Sequence, residues 1–147
     1  MDSMSERPID RLLAIYAESH LNPRNELIHF ICVPAIVFAL LGMLWSVQPW
    51  LALLVGLASM LYYLKLSVPF AAGMLLMSAA MLRLLAALPA AQVFSLSLTI
   101  FVVAWIGQFI GHKIEGKKPS FFDDLRFLLI GPLFVLGFLY RRLNIKY

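Results

Sequence analysis

Residues 28–110 are almost continuously apolar, and prolines divide them. Between Glu26 and Lys113 there are only two charges, Lys65 and Arg83, and Pro49, Pro69 and Pro89 recur at near-regular intervals. The stretches between these breakers run to about 20 residues, the length that carries an α-helix across about 30 Å of hydrocarbon. The pattern predicts four spans at 28–47, 50–66, 70–88 and 93–110. The connections are so short that neighbouring helices must be antiparallel. Pro34 lies inside the first span, where a membrane helix tolerates it if neighbouring groups satisfy the freed carbonyl. A fifth apolar stretch, 125–140, is short, and Gly131-Pro132 interrupts it near the middle. It reads as a broken, re-entrant or interfacial element rather than a crossing. Residues 4–17 read as a short amphipathic helix on the membrane surface. The predicted fold class is all-α. Residues 1–147 form a single membrane domain, an integral membrane helical bundle of four transmembrane helices, flanked by an N-terminal amphipathic helix and a broken C-terminal hydrophobic element.

Composition narrows this further. Hydrophobic residues make up 62% of the chain and charged residues 14%, against roughly 45–50% and about 25% in a soluble domain. A soluble enzyme of this size lacks the interior to hide so much apolar surface, and no nucleic-acid partner is expected. The net charge of +4 resides in polar segments beside the apolar runs. With four spans, Arg7, Arg11, Arg24, Lys65, Lys113, Lys117, Lys118 and Arg126 all fall on one side. The positive-inside rule makes that side cytoplasmic, in contact with membrane lipid. A full crossing by 125–140 would carry Arg141, Arg142 and Lys146 to the opposite side, against that rule. Trp45, Trp50, Tyr62 and Tyr63 suit interfacial anchors. Arg83, near the outer end of the third span, reads as a side chain snorkelling to that surface. Cys32 is the single cysteine, which excludes an internal disulfide and a cysteine zinc cluster. The polar first 27 residues show no cleavable signal, so the first span is expected to carry targeting. The compartment expected is an inner membrane in a bacterium or the endoplasmic reticulum in a eukaryote. The lack of a long tail or retention signal favours the bacterial one.

The histidines supply the candidate chemistry. His20 precedes the first span, His29 opens it, and His112 lies just past the fourth, so all three share the cytoplasmic end of the bundle. A lone interfacial histidine is an ordinary anchor. Three at one depth describe a metal site bridging helix ends, because imidazole is the commonest side-chain ligand for iron, copper, nickel and zinc. Glu115 follows His112 by three residues and shares its face if the helix continues. Asp123 and Asp124 lie further along. Asn25, four residues before His29, and Gln108, four before His112, are candidates for holding the ligands in place. No HExxH occurs, so a zincin protease is unsupported.

Two segments carry a resemblance. The first runs Tyr16-Ala-Glu-Ser-His20-Leu-Asn-Pro-Arg-Asn25-Glu-Leu-Ile-His29-Phe-Ile-Cys-Val-Pro34. The second runs Trp105-Ile-Gly-Gln108-Phe-Ile-Gly111-His112-Lys-Ile-Glu115-Gly-Lys-Lys-Pro119-Ser-Phe-Phe-Asp123-Asp124-Leu125. Together they resemble the signatures of the 2-hydroxy fatty acid dioxygenases, a small multi-pass membrane family once known only as a domain of unknown function. The second motif is the more specific. Cys32, Lys113 and Gly137 depart from the family's usual pattern. The resemblance implies an iron(II)-dependent dioxygenase that removes one carbon from a long-chain 2-hydroxy fatty acid with O2, in α-oxidation. It makes His20, His29 and His112 the expected iron ligands, with Glu115 a weaker candidate as ligand or base. A 2-hydroxy acid chelates iron through carboxylate and hydroxyl, and Arg24, Lys113 or Lys117 would recruit the carboxylate. Two other readings stand beside it: a non-catalytic lipid-binding or scaffold membrane protein, and a metal-dependent lipid hydrolase. The sequence leaves oligomeric state open.

Overall fold

A computed structural model describes residues 6–117 and 127–147, and its regular structure is helical. The helices are α1 (Pro8–Ala17), α2 (Pro23–Val47), α3 (Pro49–Leu66), α4 (Val68–Ala87), α5 (Ala90–Glu115) and α6 (Ile130–Arg142). Four of them, α2 to α5, are long and apolar enough to cross a membrane. Proline stands in the first turn of α2, α3 and α4, where its missing N–H had no intrahelical partner to lose. Asn22 caps α2, its side chain accepting from the Arg24 N–H at 2.9 Å, and Ser67 caps α4 by accepting from the Phe70 N–H at 3.4 Å.

The spans differ from the expected ones chiefly at one end. α2 begins at Pro23 rather than at residue 28, and α5 runs to Glu115 rather than stopping at 110. Both extensions are polar and lie at the histidine end, so His29 and His112 are held on rigid helix rather than on loops. α5 then stops in a Schellman closure. Gly116 adopts φ +76°, the Lys117 N–H bonds the His112 carbonyl at 3.0 Å, and the Gly116 N–H bonds that of Lys113 at 3.1 Å.

α2 and α5 pack most intimately, through small residues in antiparallel register. Gly42 meets Ser97, Gly107 meets Cys32, and Gly111 meets Asn25. A Cβ on Gly107 would lie 2.6 Å from Cys32 Sγ. Lipid gives helices no hydrophobic reason to associate, so close backbone approach and the dispersion it allows hold such a pair together. Ser95 and Thr99 return their hydroxyls to the carbonyls of Gln92 and Ser95 on α5 itself.

The two terminal helices depart from the expected picture. Gly131-Pro132 does not break α6 but opens it, since the first-turn N–H that Pro132 lacks would have had no intrahelical acceptor. At 13 residues α6 is about 20 Å long, short of the roughly 30 Å core. It packs on α1, α2 and α4. Tyr140 Oη donates to the Pro69 carbonyl at 2.6 Å, and Tyr63 Oη donates to that of Leu129 at 2.9 Å. α1 turns its apolar face into the protein: Ile9 and Tyr16 are buried in one cluster with Phe70, Met74 and Leu133. An amphipathic stripe read as membrane-facing is thus covered by α6. The Arg7 guanidinium pairs with Asp10 at 2.8 Å and bonds the Tyr147 backbone oxygen at 2.6 Å, tying the residue before α1 to the segment after α6.

Candidate metal centre

The turn between α1 and α2 carries His20, and the second turn of α2 carries His29. His20 Nδ1 lies 2.7 Å from the Tyr16 carbonyl and His29 Nδ1 lies 2.9 Å from the Asn25 carbonyl. A carbonyl only accepts, so each Nδ1 carries a proton, and in the neutral imidazole that leaves the lone pair on Nε2. Metal-ligating histidines are oriented in this way. Both Nε2 atoms are buried. The His20 and His29 rings stand 4.1 Å apart, centroid to centroid, at 81°, and the His29 and His112 rings 5.4 Å apart at 84°. All three side chains are buried. Imidazoles from opposite halves of the chain thus meet at one end of the bundle, as their positions in the sequence predicted.

Asn25 ties this end together. It is fully buried. Its carbonyl orients His29, while its side-chain amide donates to the Ser19 carbonyl at 3.0 Å and to Glu115 Oε1 at 3.1 Å. The same Glu115 oxygen accepts from the Asn22 N–H at 2.7 Å. One amide therefore fixes the residue before His20, its own helix, and the turn of α5 that carries His112.

The donor chemistry fits a divalent transition metal: two imidazoles have their tautomer set by carbonyls, and a third stands beside them. The rings are gathered rather than drawn onto one point. Among the described residues no group of three or more His, Cys, Asp or Glu side chains is arranged to hold an ion as it stands.

Residues 7–143 match the family described as Mpo1-like, 2-hydroxy-palmitic acid dioxygenase Mpo1-like. The chain belongs to the Mpo1-like family. A relative from Saccharomyces cerevisiae (strain ATCC 204508 / S288c), named 2-hydroxy-palmitic acid dioxygenase MPO1, is 33% identical over 130 residues, covering 84% of this chain and 75% of that protein. No solved structure matches the chain. The Mpo1-like match takes in all three histidines and every helix, α1 through α6.

In this Mpo1-like chain the other expected site residues fall into three groups. Gln108 sits one turn before His112, buried, and its Oε1 has no hydrogen-bond partner among the described residues. It lines a narrow cleft with Tyr16, Val33, Trp105, Leu128 and Gly131. A buried carbonyl left so is costly unless water or a ligand bonds it. Arg24, Lys113 and Lys117 lie at the same end of the bundle, all exposed. Asp123, Asp124, Lys118 and Arg126 lie outside the described residues. At Gly137 a Cβ would stand 3.4 Å from Phe70 Cζ.

Sequence reasoning passed over two neighbours of the centre. Tyr16 stacks on His20 with centroids 4.3 Å apart and planes 7° from parallel. Its four-residue spacing from His20 was an available signal. Phe134 of α6 lies 5.7 Å from the His20 ring, and nothing local to it announces that contact.

Gly111 sets how closely α5 approaches this centre. A Cβ there would collide with Asn25 Oδ1 and stand 3.2 Å from His29 Cε1. Asn25 is held by its two amide bonds and has nowhere to retreat. Gly111→Ala is expected to lower stability by about 1–3 kcal/mol, the usual range for overpacking. Thermal unfolding in detergent micelles measures this, with unchanged melting as the contrary result.

Proposed function

We propose that this Mpo1-like protein is an iron(II)-dependent dioxygenase that shortens long-chain 2-hydroxy fatty acids by one carbon at the cytoplasmic face of its membrane. The observation that carries the reading is the convergence of His20, His29 and His112 at one end of a four-span bundle. The name of the yeast relative, a 2-hydroxy-palmitic acid dioxygenase, supports the substrate class.

In this reading His20, His29 and His112 hold iron(II) through ring nitrogens. Iron held there would supply the activation of O2 beside a chelated 2-hydroxy acid. The rest falls to the chain itself. Asn25 and Glu115 hold the two histidine-bearing helices in register through their hydrogen bond at 3.1 Å. Gln108 offers a buried acceptor to the substrate hydroxyl or to a water. Arg24, Lys113 and Lys117 draw the carboxylate to the surface beside the histidines. The basic surface and the four apolar spans keep the head in the interface and the tail in hydrocarbon.

The test is made on protein purified in detergent. Chelator treatment should abolish O2 uptake with 2-hydroxyhexadecanoate, and ferrous ion should restore it with release of the acid one carbon shorter. Turnover that persists in metal-free protein removes the iron assignment. Metal-dependent release of fatty acid from an ester or amide lipid, with no O2 uptake on the free 2-hydroxy acid, supports a hydrolase instead.

A further inference from the structure

The histidine centre addresses the polar head of a substrate and leaves its tail without a place. α2 suggests one. His29, Val33, Val37, Leu41 and Leu44 follow one another at three- and four-residue steps, so they share one face of the helix. Val33 lines the narrow cleft beside Gln108 and Tyr16. Val37, Leu41 and Leu44 line a second, apolar cavity of about 100 Å³. α3 contributes Val55, Gly56 and Tyr63 to it, and α4 contributes Met74 and Ser78. Leu128 lines both spaces, so cleft and cavity adjoin. The hydroxyl of Ser59, also in the wall, is turned back onto the Val55 carbonyl at 2.9 Å.

We infer that this cavity between α2, α3 and α4 takes the distal part of the fatty acyl chain and sets a minimum chain length, an inference that rests on the function proposed above. Depth supports it. Val37 lies eight residues beyond His29 and Leu44 fifteen, about 12 and 22 Å along the helix. An acyl chain in one leaflet spans about half of the ~30 Å hydrocarbon core. A long tail starting at the histidines therefore reaches the cavity, and one of half that length stops short of it. Capacity supports it as well: an apolar cavity of about 150 Å³ in another protein holds benzene, so about 100 Å³ accommodates several methylenes. Val55 is 44% exposed at the rim, which leaves a lateral opening toward lipid through which a tail enters.

Gly56 gives a clean way to fill the space, because a Cβ there would meet nothing within 4 Å. Gly56→Leu should lower kcat/KM for 2-hydroxyhexadecanoate about tenfold or more, the effect of excluding two or so methylenes. It should leave 2-hydroxyoctanoate and iron content unchanged. Equal loss on both substrates, or on neither, overturns the inference. A second measurement needs neither turnover nor the variant. 2-Hydroxyhexadecanoate bearing a diazirine near its methyl end is irradiated with the wild-type protein, and the labelled peptides are mapped. Label on Val37, Leu41 or Leu44 together with Val55, Ser59, Met60 or Tyr63 supports the cavity, and does so even if no oxygenase activity is found, in which case the proposed function alone falls. Label confined to outward-facing Leu57, Leu61 and Val102 overturns it. Equal labelling of the cavity by a phosphatidylcholine carrying the same group also overturns it, since the space would then be a bilayer lipid groove.

Discussion

Alanine in place of His29 is expected to strip the metal and stop turnover together. His29 is the middle ring of the three, 4.1 Å from His20 and 5.4 Å from His112, and is 1% exposed. Replacing a group that merely orients a metal ligand typically costs 10–100-fold in metal affinity or activity. Losing the ligand itself should exceed that, taking bound iron and O2 uptake to background. Removal of the buried imidazole also leaves a void, so some stability is lost whatever the role of the ring. Metal content decides between the two, read alongside thermal unfolding. A folded His29→Ala protein that keeps its iron and its turnover would sink the three-histidine assignment. His20→Ala and His112→Ala should behave alike, because each supplies one of the three rings.

The membrane topology was legible because it is written locally. Charge-free runs and prolines at Pro49, Pro69 and Pro89 set α3, α4 and α5 to within a few residues. The histidine cluster was legible for a related reason, since antiparallel spans return alternate ends to one depth and the positions of His20, His29 and His112 then suffice. What escaped depends on contacts between distant segments. α1 carries an amphipathic stripe whether it faces lipid or protein, and only the position of α6 decides that it covers Ile9 and Tyr16. Gly131-Pro132 reads as a break in mid-stretch, yet a proline in a first turn is harmless, and the choice depends on where the helix starts. Periodicity places Asn25 on one face with His29, but its bond to Glu115 spans 90 residues of chain, beyond any periodicity. The acyl cavity likewise takes its walls from three helices and Leu128, and hydropathy does not distinguish its lining from a lipid-facing surface.

Two substitutions a hydrogen bond apart separate positioning from catalysis at the end of α5. Asn25→Asp removes both donors of the side-chain amide, at 3.0 Å from the Ser19 carbonyl and 3.1 Å from Glu115 Oε1, and sets a buried carboxylate against the half-buried one of Glu115. Like charges at that separation repel strongly where water is scarce. The register between α2 and α5 should loosen, with iron affinity and turnover falling 10–100-fold, as expected for a residue standing behind the ligands. Glu115→Gln is the informative partner. A glutamine carbonyl still accepts from the Asn22 N–H and from the Asn25 amide, so the clamp survives with neutral bonds in place of charged ones, at a cost of about 1 kcal/mol. If Glu115 only positions α5, iron content and turnover stay within a few-fold of wild type while melting drops modestly. If instead it ligates the metal or moves a proton, Glu115→Gln fails as completely as His29→Ala in a protein that remains folded, and the carboxylate joins the three imidazoles as a working part of the centre.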